Sequence, residues 1–516
     1  MPLTHLRLLV VISGMAVMAV EMTGLRLLAP FFGTSLLVTT ILIGSMMTFL
    51  SLGYWMGGRY ADRHPTLRAL CMVTGAAALL VLLIPFAGQP ILRAAAATLR
   101  PLIEGKDLAE PQIALATIAG GIVGILALFA APVTLMGMVS PWAVRLAVQR
   151  VDDAGSAAGR LYALSTFGSI VGSFLPALVL IPLLGVRNTF VVTGVALLAV
   201  SAAGVMGKPR GALAAGVAFP LLLLPLGTVR PMDGLVYEDE SLYHFIQVVE
   251  EPYGKCKAAN HLYLNEGVGI HSVKCKDPTI ETRGVWAYMA AAPLWRPEPE
   301  ASREALIVGL AGGTIARQLL EAFPELHIDG VEIDGAVVEV GKKYFDNADP
   351  RISPHVMDGR VFLRTTSARY DIVLVDAYRQ PYIPFHLTTI EFWQEIREHL
   401  ADDGVVAINV ASVRGVSKTL AQMIYRTMRE VFPAVHYISG TSSNDILVAT
   451  ALPTEPGLGV ANLALMPSSR GLDQLRPVLA SKMGSSVEGW ESARVLTDDQ
   501  APVEMAWDLM ALDYAK

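Results

Sequence analysis

The 516 residues carry a formal net charge of −6, so no bulk basic character points to nucleic acid as a partner. Apolar residues make up 53% of the chain and charged residues 17%, too few charges for an ordinary soluble protein. The imbalance is local: long apolar runs end near residue 229, and the remainder reads as a soluble α/β sequence.

Seven apolar runs, near 7–29, 34–56, 69–87, 112–138, 162–184, 188–206 and 212–228, reach the ~20 residues needed to cross a bilayer. The first is not a cleavable signal peptide: it is too long, carries Glu21, and further runs follow. The stretch 89–103, with Arg93 and Arg100, is too short to cross and is expected to lie in the interface as an amphipathic helix. Arg59, Arg63 and Arg68 follow the second run, Arg145, Arg150 and Arg160 the fourth, and Lys208 and Arg210 the sixth. Basic residues in short loops mark the cytoplasmic side. Seven crossings then leave the N-terminus inside and the C-terminal part outside, and one crossing more or fewer reverses that. Arg93, Arg100, Lys106 and Arg187 on the opposite side make the bias modest, so the side is left open. The expected location is a bacterial inner membrane, with the lipid bilayer as a partner.

Glu21 within the first run is either a functional membrane-buried acid or half of a structural pair with Arg26. Gly120 with Gly124, and Gly168 with Gly172, have the small-residue spacing of close helix contacts.

From Val236 the sequence alternates and is rich in β-formers, which predicts a small antiparallel sheet with a turn at Asn265–Gly267. A helix is expected near 281–294. Strands and helices then alternate: "ALIVGL", a helix from Thr314, "HIDGVEID", a helix from 335, "ISPHVMDG", "YDIVLVDA", a helix from Thr388, and "GVVAINV". That order predicts a parallel sheet covered on both faces. The domains expected are 1–229 (seven spans), 230–295 (β region and helix), 296–450 (Rossmann-like) and 451–516 (C-terminal extension).

"ALIVGLAGGTIARQ" reads as strand, glycine turn and helix, with Gly309, Gly312 and Gly313 allowing a ligand close to the backbone and the helix N-terminus favouring polar or anionic groups. Glu332 ends the next strand 23 residues after Gly309, where an acid takes the hydroxyls of a ribose. Asp358, followed by Gly359, ends a third strand, placed to accept from an adenine amine. Together these suggest an adenosine ligand. Asp376 ends a fourth strand, followed closely by Tyr378 and Arg379.

"VGLAGGT", "VEIDGAVVEVGKKYFDNADPRI", "DGRVFL" and "YDIVLVDA" resemble the spermidine synthase family of aminopropyltransferases, over roughly 236–450. The chain looks like the membrane-fused branch of that family, and "EMTGLRLLAPFFGTS" also resembles that branch. The resemblance implies a class I S-adenosylmethionine-dependent transferase fold. Its ligand would be S-adenosylmethionine or the decarboxylated form, used as a substrate without a metal. Glu332 would hold the ribose, Asp358 the adenine, and Asp376 would orient and deprotonate an attacking amine, with methylthioadenosine leaving. A homodimer is a further possible assembly.

Three departures bear on the acceptor. Gly312 stands where the family has an acid for the terminal amine; Ala377, Tyr378 and Arg379 replace serines and a second acid; "GVWAYMAAAPL" lacks the Tyr and acid that face a polyamine. A guanidinium repels a polyamine and suits a carboxylate. The expectation is therefore intact S-adenosylmethionine, with Arg379 on its carboxylate and Tyr378 as a cation–π partner of the sulfonium. The reaction would be aminocarboxypropyl transfer or cleavage without an acceptor. Tyr243, His244 and His271 of the β region are further candidates for the substrate, with Asn265 and Ser272 beside them, and Tyr382 and His386 lie on a loop expected to cover the site. A methyltransferase, and an adenosyl-binding transporter or sensor without turnover, remain alternatives. Cys256 and Cys275 would face each other if the strands pair about Asn265–Glu266, and a disulfide there would favour an extracytoplasmic domain.

Overall fold

The computed structural model describes residues 2–32, 36–97, 110–148, 150–206, 228–265, 269–277, 284–379, 382–412, 418–440, 443–467, 472, 487 and 489–507. They form two compact units, one within Met1–Gly105 and Ala116–Pro231 and one within Lys106–Leu115 and Met232–Lys516.

The first unit is helical: α1 (Pro2–Phe32), α2 (Leu36–Arg63), α3 (Leu67–Ala97), α4 (Glu110–Gly137), α5 (Val139–Ala147), α6 (Ala154–Leu175) and α7 (Ile181–Met206). Among the described residues, five stretches are long and apolar enough to cross a membrane by length and composition: Leu3–Phe32, Val38–Arg63, Leu67–Ala95, Ala119–Ala147 and Ala154–Met206. The last, 53 residues long, contains two of the expected runs. They are divided at Gly185, whose backbone (φ 75°, ψ 169°) is not helical. The run at 212–228 lies, all but Thr228, outside the described residues. The separate interfacial helix does not appear: residues 89–97 continue α3, because "ILRAAAA" is a strong helix-forming stretch. The close helix contact expected at Gly168 and Gly172 is present, since a Cβ on either would run into the Val11 or Met15 carbonyl of α1.

The second unit opens with an antiparallel sheet, β1 (Leu235–Glu240), β2 (Phe245–Tyr253), β3 (Cys256–Leu264) and β4 (Ile270–Cys275), paired in that order. The cysteines do not face each other in the ladder. Asn265 is left-handed (φ 52°), a bulge follows Leu262, and Cys275 comes opposite Ala259. The disulfide forms all the same, joining the first residue of β3 to the last of β4 with Cα atoms 5.9 Å apart. The helix expected near 281–294 is α8 (Val285–Ala290), followed by a 3-10 turn, Ala292–Trp295.

Next come β5 (Glu304–Val308), α9 (Thr314–Ala322), β6 (His327–Glu332), α10 (Gly335–Tyr344), β7 (Ile352–Val356), α11 (Gly359–Thr365), β8 (Tyr370–Val375), α12 (Ile390–His399), β9 (Leu400–Ala411), α13 (Thr419–Arg429), β10 (Ala434–Ile438), β11 (Asn444–Thr450) and α14 (Leu458–Leu465). The seven strands order as β10-β11-β9-β8-β5-β6-β7. The sheet is mixed and not wholly parallel: β11 runs antiparallel to both β9 and β10, because a connection as short as that between β10 and β11 allows only a hairpin. Successive side chains of β5 point to opposite faces. Leu306 and Val308 join a core with α12 and α13, while Ala305 and Ile307 join one with α9. The small sheet packs Ile246, Val248, Leu262 and Leu264 onto Val337, Val340 and Phe345 around α10. The ends of β5, β6, β7 and β8 therefore share one edge, flanked by β4 and the β1–β2 loop.

Candidate active site

The glycine turn after β5 satisfies its own amides. Gly309 and Leu310 N–H donate to Val331 O (2.9 and 3.1 Å), and Gly313 N–H donates to Leu310 O (2.9 Å). Ala311 N–H donates to Glu332 Oε2 and Gly312 N–H to Ser272 Oγ, both at 2.9 Å. Arg317 of α9 fastens the turn from beneath, donating to Gly312 O (2.9 Å) and Val273 O (2.8 Å). Each amide from 309 to 313 is therefore engaged within the protein. Each glycine has a steric reason. Gly309 is left-handed (φ 94°), and a Cβ there would run into the Asp376–Ala377 backbone. A Cβ on Gly312 would lie 2.8 Å from Ser272 Cβ and 3.0 Å from Phe345. Gly313 meets Asn347 in the same way, and Gly359 meets Val308, so Gly359 serves the packing of α11 against β5.

The strand-end acids come to one edge. Glu332 is buried and accepts from Ala311 N–H and, at 3.2 Å, from Asp334 N–H. Burial pushes its carboxyl up, while His244 and the two amides pull it back. A carboxylate has about four lone-pair sites, so two remain for hydroxyls. Beside it, Asp334 caps α10 through Ala336 N–H (3.0 Å) and binds His244 Nδ1 (2.9 Å) and Ser241 Oγ. Burial opposes ionisation of Asp334, but those hydrogen bonds hold it below the ordinary range. His271 on β4 is pushed down to about 3 by burial, with His244 adding to the effect, and its Nε2 has no hydrogen-bond partner among the described residues. Tyr243 is exposed, its ring 6.5 Å from that of His244.

Asp358 caps α11 through Arg360 and Val361 N–H (2.9 and 3.1 Å) and meets His386 Nε2 at 3.1 Å. The His386 hydrogen bond is the main cause holding its carboxyl below the ordinary value. Asp376, half-buried at the end of β8, accepts from Asn409 Nδ2 at 2.8 Å. Its other oxygen has no protein donor among the described residues. Burial pushes this carboxyl up to about 7, against the Asn409 hydrogen bond. Asn409 is in turn held by Asn444 Nδ2, 3.1 Å from its Oδ1.

The Tyr378 hydroxyl donates to Asn409 O (2.9 Å), which ties it to β9. Arg379 is exposed in a narrow turn closed by its amide and carbonyl with Tyr382 (2.8 and 3.1 Å). Tyr382 is buried edge-on to Trp507. Asn409, Asp334 and Ser241 were not singled out from the sequence. Asn409 had a signal, a lone amide in the apolar strand "GVVAINV" beside the strand that bears Asp376. Among the described residues no cluster of three His, Cys, Asp or Glu side chains is placed to hold a metal ion.

Residues 288–441 match the family described as spermine/spermidine synthase domain. The chain is 30% identical over 284 residues to the polyamine aminopropyltransferase of Vibrio vulnificus, covering 52% of this chain and 91% of that one. It is 29% identical over 312 residues to a Bifidobacterium longum protein described as a probable polyamine aminopropyl transferase, covering 55% of this chain and 66%, just under two thirds, of that one. A crystal structure described as a probable spermidine synthase from Corynebacterium glutamicum is similar at a TM-score of 0.40 and 18% identity, over 52% of this chain and 97% of that one. With 91% of the Vibrio vulnificus enzyme spanned at 30% identity, and its strand-end acids gathered on one sheet edge, the chain belongs to the polyamine aminopropyltransferase family of enzymes.

Proposed function

We propose that the chain is a membrane-anchored enzyme that binds S-adenosylmethionine or its decarboxylated form and releases methylthioadenosine. Asp376 is the observation that supports this most directly: a carboxyl at about 7, held on one oxygen by Asn409 and open on the other. Such a group takes up a proton near neutral pH. The amine nitrogen attacks the carbon bonded to the sulfonium, the carbon–sulfur bond breaks, its electron pair stays on sulfur, and the proton of the amine passes to Asp376. Glu332 takes the ribose hydroxyls, and Asp358, fixed by His386, takes the adenine amine. Tyr243, His244 and His271 border the substrate end, and the five apolar stretches support the anchoring.

A second reading is supported by Gly312. Ser272 and Phe345 leave no room for a side chain there, so the site lacks the acid that the family resemblance leads one to expect for the terminal amine. Intact S-adenosylmethionine, its carboxylate on Arg379, then becomes the ligand, cleaved with or without an acceptor. Purified full-length protein is incubated with each form of the ligand, with and without putrescine, and products are identified by mass spectrometry. Methylthioadenosine is expected. S-adenosylhomocysteine would identify a methyltransferase, and absence of any product would leave only a binding role.

A further inference from the structure

The helical unit contains an acid whose role in anchoring is nil. Glu21 of α1 is 3% exposed, and its Oε2 has no hydrogen-bond partner among the described residues. Arg26, the expected partner, lies about 140° away around the helix at ~100° per residue, so the two side chains leave different faces. A carboxylate at membrane depth is costly unless it is protonated or meets a cation.

Opposite Glu21 lies the weak point of the longest helical stretch. α1 and α6 run parallel in fixed register, with Gly168 on the Val11 carbonyl, Gly172 on the Met15 carbonyl, and Ser169 Oγ donating to Gly14 O (3.3 Å). The same offset carried from Met15 to Glu21 reaches Leu178, inside the π-helical turn Pro176–Leu180 that follows α6. α1 touches this turn. Proline brings no N–H, so Pro176 and Pro182 deprive the Gly172 and Leu178 carbonyls of the donor four residues on. A little further, Gly185 breaks the helix outright. The π-turn therefore lies at the level of a buried carboxyl whose Oε2 lacks a partner among the described residues, the Gly172 and Leu178 carbonyls lack the amide four residues on, and Pro182 and the break at Gly185 follow one to two turns further along. Interrupted helices with unwound carbonyls are the means by which helical membrane proteins hold cations.

We propose that Glu21 and the Pro176–Gly185 break form a site that exchanges a proton for a monovalent cation, an alkali-metal ion or one ammonium group of an amine. The carboxylic acid releases its proton, and the carboxylate with the freed carbonyl oxygens takes the cation. The helical unit is then a carrier and not only an anchor. This rests on the reading that these helices cross a membrane.

The test uses full-length protein in phosphatidylcholine vesicles that enclose a pH-sensitive dye. Flotation first shows whether the protein inserts; protein that fails to float overturns the membrane reading and this proposal with it. NaCl, KCl or putrescine dihydrochloride is then added outside, with choline chloride as the reference. The expected result is internal alkalinisation at least ~10-fold faster than with choline for one of these cations. Glu21→Gln should abolish it and Glu21→Asp should retain part of it, with circular dichroism and gel-filtration profiles unchanged. A response to NaCl or KCl assigns the site to alkali ions, and a response to putrescine alone assigns it to amines. Rates equal to choline in the wild-type protein, or undiminished in Glu21→Gln, overturn the proposal.

Discussion

Asp376 works by being poorly solvated, and the same property makes it a liability to the fold. Its folded value, about 7, lies above the ordinary 3.8, so the folded chain keeps a proton that the unfolded chain gives up. The stability linked to the neutral carboxyl is present below about 4 and is lost as pH rises through about 7. Asp376→Asn should therefore raise the unfolding midpoint at pH 8 and leave it nearly unchanged at pH 4, as read by calorimetry. The same substitution should cut methylthioadenosine release by roughly 10²- to 10⁴-fold. In the wild-type protein kcat/KM should rise as pH increases towards about 7 and then level; a flat profile from pH 5 to 8 would count against a titrating Asp376. At Gly312 the prediction is negative. Gly312→Asp should not tighten binding of the decarboxylated ligand in calorimetry, and should destabilise by ~1–3 kcal/mol, because Ser272 and Phe345 already fill that space. Glu332 and Asp376 were legible from the sequence because each is an acid at the end of an apolar strand segment, and Asp358 because it is an acid before a glycine just past the next strand. The setting of Tyr378 was not, because whether its hydroxyl turns to the ligand or to Asn409 O depends on β9, thirty residues away in the chain.

Among the elements, α11 is tied to two distant segments through one arginine. Its first turn is held by Asp358, and its Arg360 is buried between Glu395 (3.0 Å) and Asp498, with Asp498 Oδ2 2.9 Å from Nη2. The same guanidinium donates to His386 O at 3.2 Å, so it supports the histidine that faces Asp358. Asp498 lies in the segment after α14 and is fixed further by Thr389 Oγ1 (2.7 Å). Arg360→Met should cost about 3 kcal/mol by leaving Asp498 without its cation and Glu395 with Arg364 alone (2.7 Å), seen as a lower denaturation midpoint. Asp498→Asn, a milder change, should raise KM for the adenosyl ligand more than it lowers kcat, since it loosens Asp358 and His386 without touching Asp376. An equal fall in both constants would argue for a purely structural segment. β5 and β8 were readable because buried central strands are near-continuous apolar runs, and β6 and β7 through the helices that separate them. The β10–β11 hairpin and α13 were not set out, since no strand-end chemistry marks them, and the link from Asp498 to Arg360 spans 138 residues.

At the scale of the whole molecule, the proposal that the apolar stretches cross a membrane raises the question of which side the α/β unit occupies, and the three cysteines provide the test. Loop arginines point one way or the other according to the number of crossings, and the run at 212–228 lies almost wholly outside the described residues. The disulfide does not depend on that count. Cys256 and Cys275 are bonded across a separation of 19 residues, both buried, while Cys71 is free. Bonds of this kind persist in oxidising compartments and are reduced in the bacterial cytosol. In cells quenched with acid, denatured and treated with a polymer-linked maleimide, the chain should therefore take up one tag, on Cys71. Prior reduction should raise this to three. Three tags without reductant would place the α/β unit in the cytosol, with its cysteines as thiols. The Cys256→Ser/Cys275→Ser variant bears on the same point: by loop closure it should lose about 3 kcal/mol of stability relative to the oxidised protein and none relative to the reduced one. An oxidised chain would mean that the adenosyl substrate must reach a site outside the cell membrane.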